Sequence, residues 1–184
     1  MEKHKIEETE IEKKFLIENT DWQSLVEKSK TIYQSYYLDR NKERKRIRIV
    51  KEDEQAIVAY KEDLGMVNGF LERIEREEEI DYADGLLLLI KCNKVLVKRR
   101  NYVSFNEFII EIDEFLNLST ALTMAEVEIK KKDIVKAKEI NFPCWFGKDV
   151  TQSKKYRNAS LIKHVQGSDF YLKELLNKTR KLKK

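Results

Sequence analysis

"EIEKKFLI", residues 10–17, alternates charged and apolar side chains, so that Glu10, Glu12 and Lys14 share one face of an extended segment and Ile11, Phe15 and Ile17 the other. The design recurs along the chain. In "RKRIRIV" Arg44, Arg46 and Arg48 oppose Ile47 and Ile49, and in "RIEREEEI" Arg73, Glu75, Glu77 and Glu79 oppose Ile74 and Ile80. Later, Lys98, Arg100 and Tyr102 share a face, Glu111 and Asp113 oppose Ile110 and Ile112, and Glu126 and Glu128 oppose Val127 and Ile129. Alternation with period two predicts strands buried on one side.

A solvated outer face would account for the alternation by itself. It does not account for the signs, which are segregated by strand: carboxylates dominate some segments, guanidinium and ammonium groups others. If about eight such strands close into a barrel and helices cover the apolar outer faces, the charges point into an interior wide enough for one small ligand. Buried charges need counter-charges, water or ions. Carboxylates suit Mg²⁺ or Mn²⁺, which take oxygen ligands. Arginine and lysine suit phosphate oxygens. Both sets together suit a metal-bound polyphosphate.

Bulk properties agree. The 184 residues fit a single domain, 1–184, and the net charge of +4 is too small to argue for a nucleic-acid partner. Two cysteines, Cys92 and Cys144, and two histidines, His4 and His164, supply neither a disulfide framework nor a thiolate–imidazole zinc site, and point to a reducing, cytoplasmic setting. The longest apolar run, "LLLLI" at 86–90, is far below the roughly 18 residues of a membrane span, so no membrane association is expected. With five glycines and one proline there is no linker. A capping-box pattern at Thr20 and Gln23 predicts a short helix over 20–30, "GMVNG" (65–69) a turn, and "DYADGLLLLIK" a helix or irregular turn. A helical stretch is expected around "DIVKAKEI" (133–140), and a basic helical tail from about 161. The class is mainly β with inserted helices (α+β), an antiparallel sheet that curls or closes.

The ordered motifs resemble those of CYTH domains, the triphosphate tunnel metalloenzymes. An ExExK strand is met by Glu10, Glu12 and Lys14, an RxR strand by Arg46 and Arg48, a strand lysine by Lys61, and an RxExE strand by Arg73, Glu75 and Glu77. K-x-R, E-x-D and E-x-E strands follow at Lys98 and Arg100, Glu111 and Asp113, and Glu126 and Glu128. "PCWFGKDVTQSKKYRN" (143–158) is similar to a segment of the short, single-domain bacterial branch. The resemblance implies an eight-stranded antiparallel closed barrel, with a charged tunnel inside and helices outside. It implies that Glu10, Glu12, Glu126 and Glu128 are the chief metal ligands, with Glu111 and Asp113 close by and Glu75 and Glu77 serving a second Mg²⁺ or Mn²⁺. It places Lys14, Arg46, Arg48, Lys61, Arg73, Lys98 and Arg100 on the phosphates. Lys98 joins Glu10, Glu12, Glu126 and Glu128 in the catalytic set. Tyr37 is expected to face inward, Lys155 to close one end, and Arg44 and Glu79 to lie at the rim or in solvent. Trp145 and Phe146 are expected to pack as a plug.

The implied function is metal-dependent hydrolysis of a small-molecule triphosphate, inorganic tripolyphosphate first, by a monomer or homodimer. The alternatives are an adenylate cyclase of the class IV type and a non-catalytic polyphosphate or nucleotide sensor.

Overall fold

The computed structural model describes residues 5–130 and 141–181. The helical stretch expected at 133–140 lies outside them. Nine strands are present: β1 (Lys5–Ile17), β2 (Lys28–Leu38), β3 (Arg44–Val50), β4 (Gln55–Val67), β5 (Phe70–Ile80), β6 (Leu96–Phe105), β7 (Phe108–Phe115), β8 (Thr123–Ile129) and β9 (Phe146–Asp149). The first eight close a barrel in the order β1-β5-β4-β3-β2-β6-β7-β8, with every neighbouring pair antiparallel. Closure depends on the length of β1. Its residues 5–12 pair with β5 and its residues 11–16 with β8, so one 13-residue strand joins both edges. β9, which the sequence reading did not foresee, adds to the last residues of β1 through Phe15 and Ile17.

Local chemistry sets the corners. Asn68 (φ 53°) and Gly69 (φ 81°) turn β4 into β5, as a two-residue hairpin with left-handed central residues requires. The Asp81 carboxylate accepts hydrogen bonds from the backbone N–H groups of Ala83 and Asp84 and so caps helix α1 (Tyr82–Ile90). At 20–30 the structure corrects the expected helix. Only a 3-10 turn forms, over Asp21–Leu25, Thr20 makes no side-chain cap, and β2 begins at Lys28. Pairing decides this: Lys28 lies opposite Tyr102 of β6, and the Glu27 N–H donates to the Tyr102 carbonyl, so the ladder takes backbone that a helix would need.

The apolar core lies outside the barrel, and the chain's remaining helices supply its cover. One cluster joins Tyr33, Ile47, Ile49 and Ala56 of the outer face to Leu86 and Leu89 of α1 and Leu175 of α3 (Ser168–Lys181), with Tyr171, Leu172 and Leu176 alongside. Gly85 is where α1 meets the sheet, because a Cβ there would fall 2.3 Å from that of Ala56. A second cluster packs Ile11, Phe70, Ile110, Ile112 and Val127 under Trp22 and Trp145. Phe15, Phe142 and Phe146 stack beside it with ring centroids 4.6–5.2 Å apart. The third cluster is different. Leu16, Tyr36, Leu96, Phe115 and Met124 stand at inward positions near one barrel end, and Leu161 and Ile162, from and just beyond the single helical turn α2 (Asn158–Leu161), cover them. Among the described residues no helix is long and apolar enough to cross a membrane.

Candidate active site

Inside the barrel is a cavity of about 530 Å³ lined almost entirely by charge. Nine carboxylates and nine basic side chains reach its wall, so its formal charge is zero. Their placement follows from register. Glu12 lies opposite Glu128, Lys14 opposite Glu126, and Glu111 opposite Glu126, which makes β7, β8 and β1 an acidic wall. Arg44, Arg46 and Arg48 line β3, which the strand order sets across the barrel from β8. Between these walls, β6 brings Lys98 and Arg100, and β4 and β5 bring Lys61 and Asp63, then Arg73, Glu75 and Glu77.

Two ion-pair networks hold these groups. In the first, Lys14 Nζ donates to Glu126 at 3.0 Å and lies 3.5 Å from Glu12; Arg73 donates to Glu12 at 2.9 Å and reaches Asp63 at 3.1 Å. Arg100 joins Glu126 at 3.3 Å, Asp113 at 2.7 Å, and Glu111. In the second, Arg46 donates to Glu75 at 2.7 Å and Glu77 at 2.9 Å, while Lys61 bridges Glu75 and Glu10. Arg48 is the loosest member, 3.7 Å from Glu77.

Titration behaviour follows from burial and crowding. Burial, reinforced by the Glu75 and Glu128 carboxylates and only partly offset by Lys61, pushes Glu10 up to about 8. Desolvation at the wall and then the Glu111 carboxylate push Glu128 up to about 7. Burial opposes the charge of Glu126, but Lys14, Arg100 and Lys98 hold its carboxyl well below the usual range. Burial and the Arg100 guanidinium push Lys98 down to about 8, and Asp113 restrains that fall. Burial also lowers the pKa of Arg48, with Arg46 adding to the effect.

Most of the expected site residues meet at the cavity: Glu10, Glu12, Lys14, Arg46, Arg48, Lys61, Arg73, Glu75, Glu77, Lys98, Arg100, Glu111, Glu126 and Glu128 all line it. Three expectations are corrected. Tyr36 is the tyrosine that faces in, because it lies opposite inward Arg46; Tyr37 falls on the other parity and packs against the outer cluster near α1. Asp113 is 0% exposed and sits behind the wall rather than on the lining, accepting two hydrogen bonds from Arg100 and one from Lys98. Lys155 is exposed over the Tyr156 ring, and Arg157, two residues on, closes the end instead. Arg44 is exposed at the cavity's end, as expected of a rim residue, its guanidinium 4.7 Å from the Tyr36 ring centre. Sequence reasoning missed Glu8, Tyr36, Asp63, Arg157 and Asn158 on the lining. Glu8 and Asp63 continue the parity of Glu10 and Lys61, a signal that was present. Trp145 and Phe146 pack in the outer core, as expected.

The donor set fits a hard divalent cation. Among the described residues no histidine or cysteine lines the cavity, and the acidic wall offers carboxylate oxygens. Among the described residues no group of three acidic side chains converges closely enough to enclose an ion as the side chains stand. Glu10, Glu12, Glu111 and Glu126 are instead each drawn onto a lysine or arginine. Glu128 forms no ion pair among the described residues, and burial, with the neighbouring carboxylates adding to it, raises the pKa of both Glu10 and Glu128.

The family model for the CYTH domain matches residues 8–161, from Glu8 on the cavity wall to Leu161 beneath it. The chain belongs to the CYTH family. A curated relative, the inorganic triphosphatase of Acetivibrio thermocellus, is 30% identical over 157 residues, covering 84% of this chain and 94% of the relative. Among solved structures, the inorganic triphosphatase NE1496 superposes with a TM-score of 0.57 at 24% identity, covering 86% of this CYTH protein and 97% of that chain. The putative adenylyl cyclase HpAC1 from Hippeastrum, described as having a dominant triphosphatase activity, shares the fold with a TM-score of 0.54 at 18% identity, covering 70% and 83%.

Proposed function

We propose that this CYTH protein is a divalent-metal-dependent triphosphatase that splits inorganic tripolyphosphate into pyrophosphate and phosphate, with nucleoside triphosphates as secondary substrates. The observation that carries the reading is the neutral, wall-segregated cavity. With every group ionised, as metal binding requires, nine carboxylates offset nine bases and leave no excess positive charge for a highly charged polyanion. A triphosphate can enter only if cations arrive with it, and the acidic and basic walls across the barrel provide for both. Glu10, Glu12, Glu126 and Glu128 would hold Mg²⁺ or Mn²⁺, with Glu111 beside them. The ion would neutralise phosphate oxygens and acidify a bound water.

The chain's own residues do the rest. Arg46, Arg48, Lys61 and Arg73 bind and orient the phosphates, and are released from Glu10, Glu12, Glu75 and Glu77 as the polyanion replaces those carboxylates. Arg100, fixed by Asp113 through two 2.7 Å hydrogen bonds, offers preorganised charge to the phosphoryl group in transfer. Lys98 Nζ, with its pKa near 8, is the group able to accept a proton from attacking water close to neutral pH. The rings on the inward faces are each met by a cation: Tyr36 lies under Arg44, Lys30 lies over Tyr102 at 5.9 Å, and Lys98 lies over Phe115 at 6.0 Å. Among the described residues no inward ring is therefore free of a cation to stack on a purine, which favours the inorganic substrate over a cyclase reaction.

The test is phosphate release from tripolyphosphate, ATP, GTP and pyrophosphate with Mg²⁺, Mn²⁺ or EDTA, with cyclic AMP assayed in parallel. Metal-dependent release fastest with tripolyphosphate supports the reading. Cyclic AMP as the main product, or tight binding without turnover, overturns it.

A further inference from the structure

The two ends of the barrel are not alike. One opens beside Glu8 and Ile6, where the walls reach solvent. The other is sealed twice. The inward apolar layer that includes Leu96, Phe115 and Met124 fills the barrel's end, and Leu161 and Ile162 press on it. Above that layer the strap that carries α2 crosses the cavity and presents Arg157, Asn158 and Ala159 to it.

The strap is fastened at several independent points. Arg44 donates to the Ala159 carbonyl at 3.2 Å, and Arg157 pairs with Asp63, the carboxylate that also holds Arg73. Further along, the Gln166 N–H donates to the Asn117 carbonyl at 2.8 Å, and Lys94 donates to the Lys163 carbonyl at 2.7 Å. Two polar atoms at this floor lack any hydrogen-bond partner although they are buried: Arg157 Nε and Asn158 Oδ1. Unmet polar atoms beside a charged cavity are costly unless a ligand or water answers them.

We infer that the tunnel is blind at this end and that the enzyme accepts only polyphosphates with a free terminal phosphate, which it seats against Arg157. The inference rests on the triphosphatase reading above. A free terminal phosphate carries about −1.5 to −2 charge near neutral pH and three acceptor oxygens, which suits a floor built from guanidinium groups. A phosphate esterified at that position has less charge and a nucleoside that the sealed end cannot admit. A nucleoside triphosphate therefore enters phosphate-first with its nucleoside left at the mouth, and a polyphosphate capped by nucleosides at both ends is refused.

The experiment uses the full chain with Mg²⁺ and three compounds: tripolyphosphate, ATP and diadenosine tetraphosphate. Tripolyphosphate and ATP are expected to turn over. Diadenosine tetraphosphate is expected neither to be cleaved nor to inhibit tripolyphosphate hydrolysis until about 100-fold above the KM. Cleavage of the doubly capped compound, or inhibition within about tenfold of that KM, overturns the blind end. If tripolyphosphate and ATP themselves fail to react, the triphosphatase reading falls, and calorimetric binding of the same three compounds still decides which ends are admitted. Arg157→Ala is expected to raise the KM for tripolyphosphate about tenfold with the chain still folded, and Arg157→Lys, which keeps the charge beside Asp63, to raise it less. An unchanged KM in both variants removes the phosphate-seating role from Arg157.

Discussion

Asp113 gives the sharpest separation between holding the site together and doing its chemistry. It is 0% exposed, accepts from Arg100 Nε and Nη2 at 2.7 Å each, and also accepts from Lys98, itself only 1% exposed. Asp113→Asn removes the charge and leaves one carbonyl oxygen for two cations, with an amide N–H₂ directed at the others. Breaking a buried ion pair costs about 3–5 kcal/mol, and the retained oxygen argues for the lower end, about 3 kcal/mol. At about 2–4 °C per kcal/mol for a chain of this length, the melting temperature should fall by roughly 6–12 °C. A second readout follows from Lys98. Asp113 is what holds the lysine's pKa up against burial and Arg100, so the variant's pKa drops further below about 8. If neutral Lys98 accepts the proton, the rise of rate with pH moves to lower pH. The metal affinity of the refolded variant should change by less than about tenfold, the smaller end of the effect of altering a residue outside the ligand set. Thermal melts, a pH–rate profile and metal titration together decide it. A melting temperature within 2 °C of the parent, as an order-of-magnitude bound, or a metal affinity abolished while the fold stays firm, would refute the positioning role and restore Asp113 to the ligands.

Three further outcomes are expected. Glu10 and Glu128, with pKa values of about 8 and 7, hold protons in the metal-free protein at pH 6.5, whereas a metal needs their carboxylates; affinity for Mg²⁺ should rise with pH through 7–8 with protons released. Calorimetry in buffers of unlike ionisation enthalpy measures that release, and heats independent of buffer would contradict it. Arg48→Ala removes an arginine held only loosely by its carboxylate, 3.7 Å from Glu77, and should raise the KM for tripolyphosphate by about 10–100-fold, the equivalent of one or two units of 1.4 kcal/mol for a lost charge-assisted hydrogen bond. Steady-state kinetics checks it, and an unchanged KM would count against its phosphate role. Gly85→Ala drives a methyl to 2.3 Å from the Ala56 Cβ and should cost about 1–3 kcal/mol in thermal stability while leaving kcat alone, since α1 lies outside the barrel.

How far the sequence could be read depended on how pure each strand's pattern was. β1, β3, β5, β7 and β8 keep an unbroken charged face around their motifs, in spite of outward charges such as Lys13, Lys45 and Arg76, and their inner faces were legible from the sequence. β2 was not. Its two faces both carry tyrosine, Tyr33 and Tyr37 outward and Tyr36 inward, so only the pairing of Tyr36 with Arg46 settles its parity. The floor was illegible for another reason. Arg157 reaches the cavity from just after a 3-10 turn, where neither a period of two nor one of 3.6 applies, and its partner Asp63 comes from far back along the chain, in β4. Asp113 obeyed the alternation and still does not line the cavity, because inward direction does not tell how deep behind larger neighbours a short side chain stops.

The apolar core outside and the charged lining inside are read from alternate letters of the same strands. Exchanging one lining residue for another can therefore retune what the site holds while every contact that maintains the fold stays in place, which makes such sites easy to diversify by substitution. Insertion or deletion of a single residue within a strand is another matter: it interchanges the two faces from that point on, sending isoleucines into the site and arginines into the core. Variation in length is thus confined to the connections, and the strands can drift in chemistry but not in count.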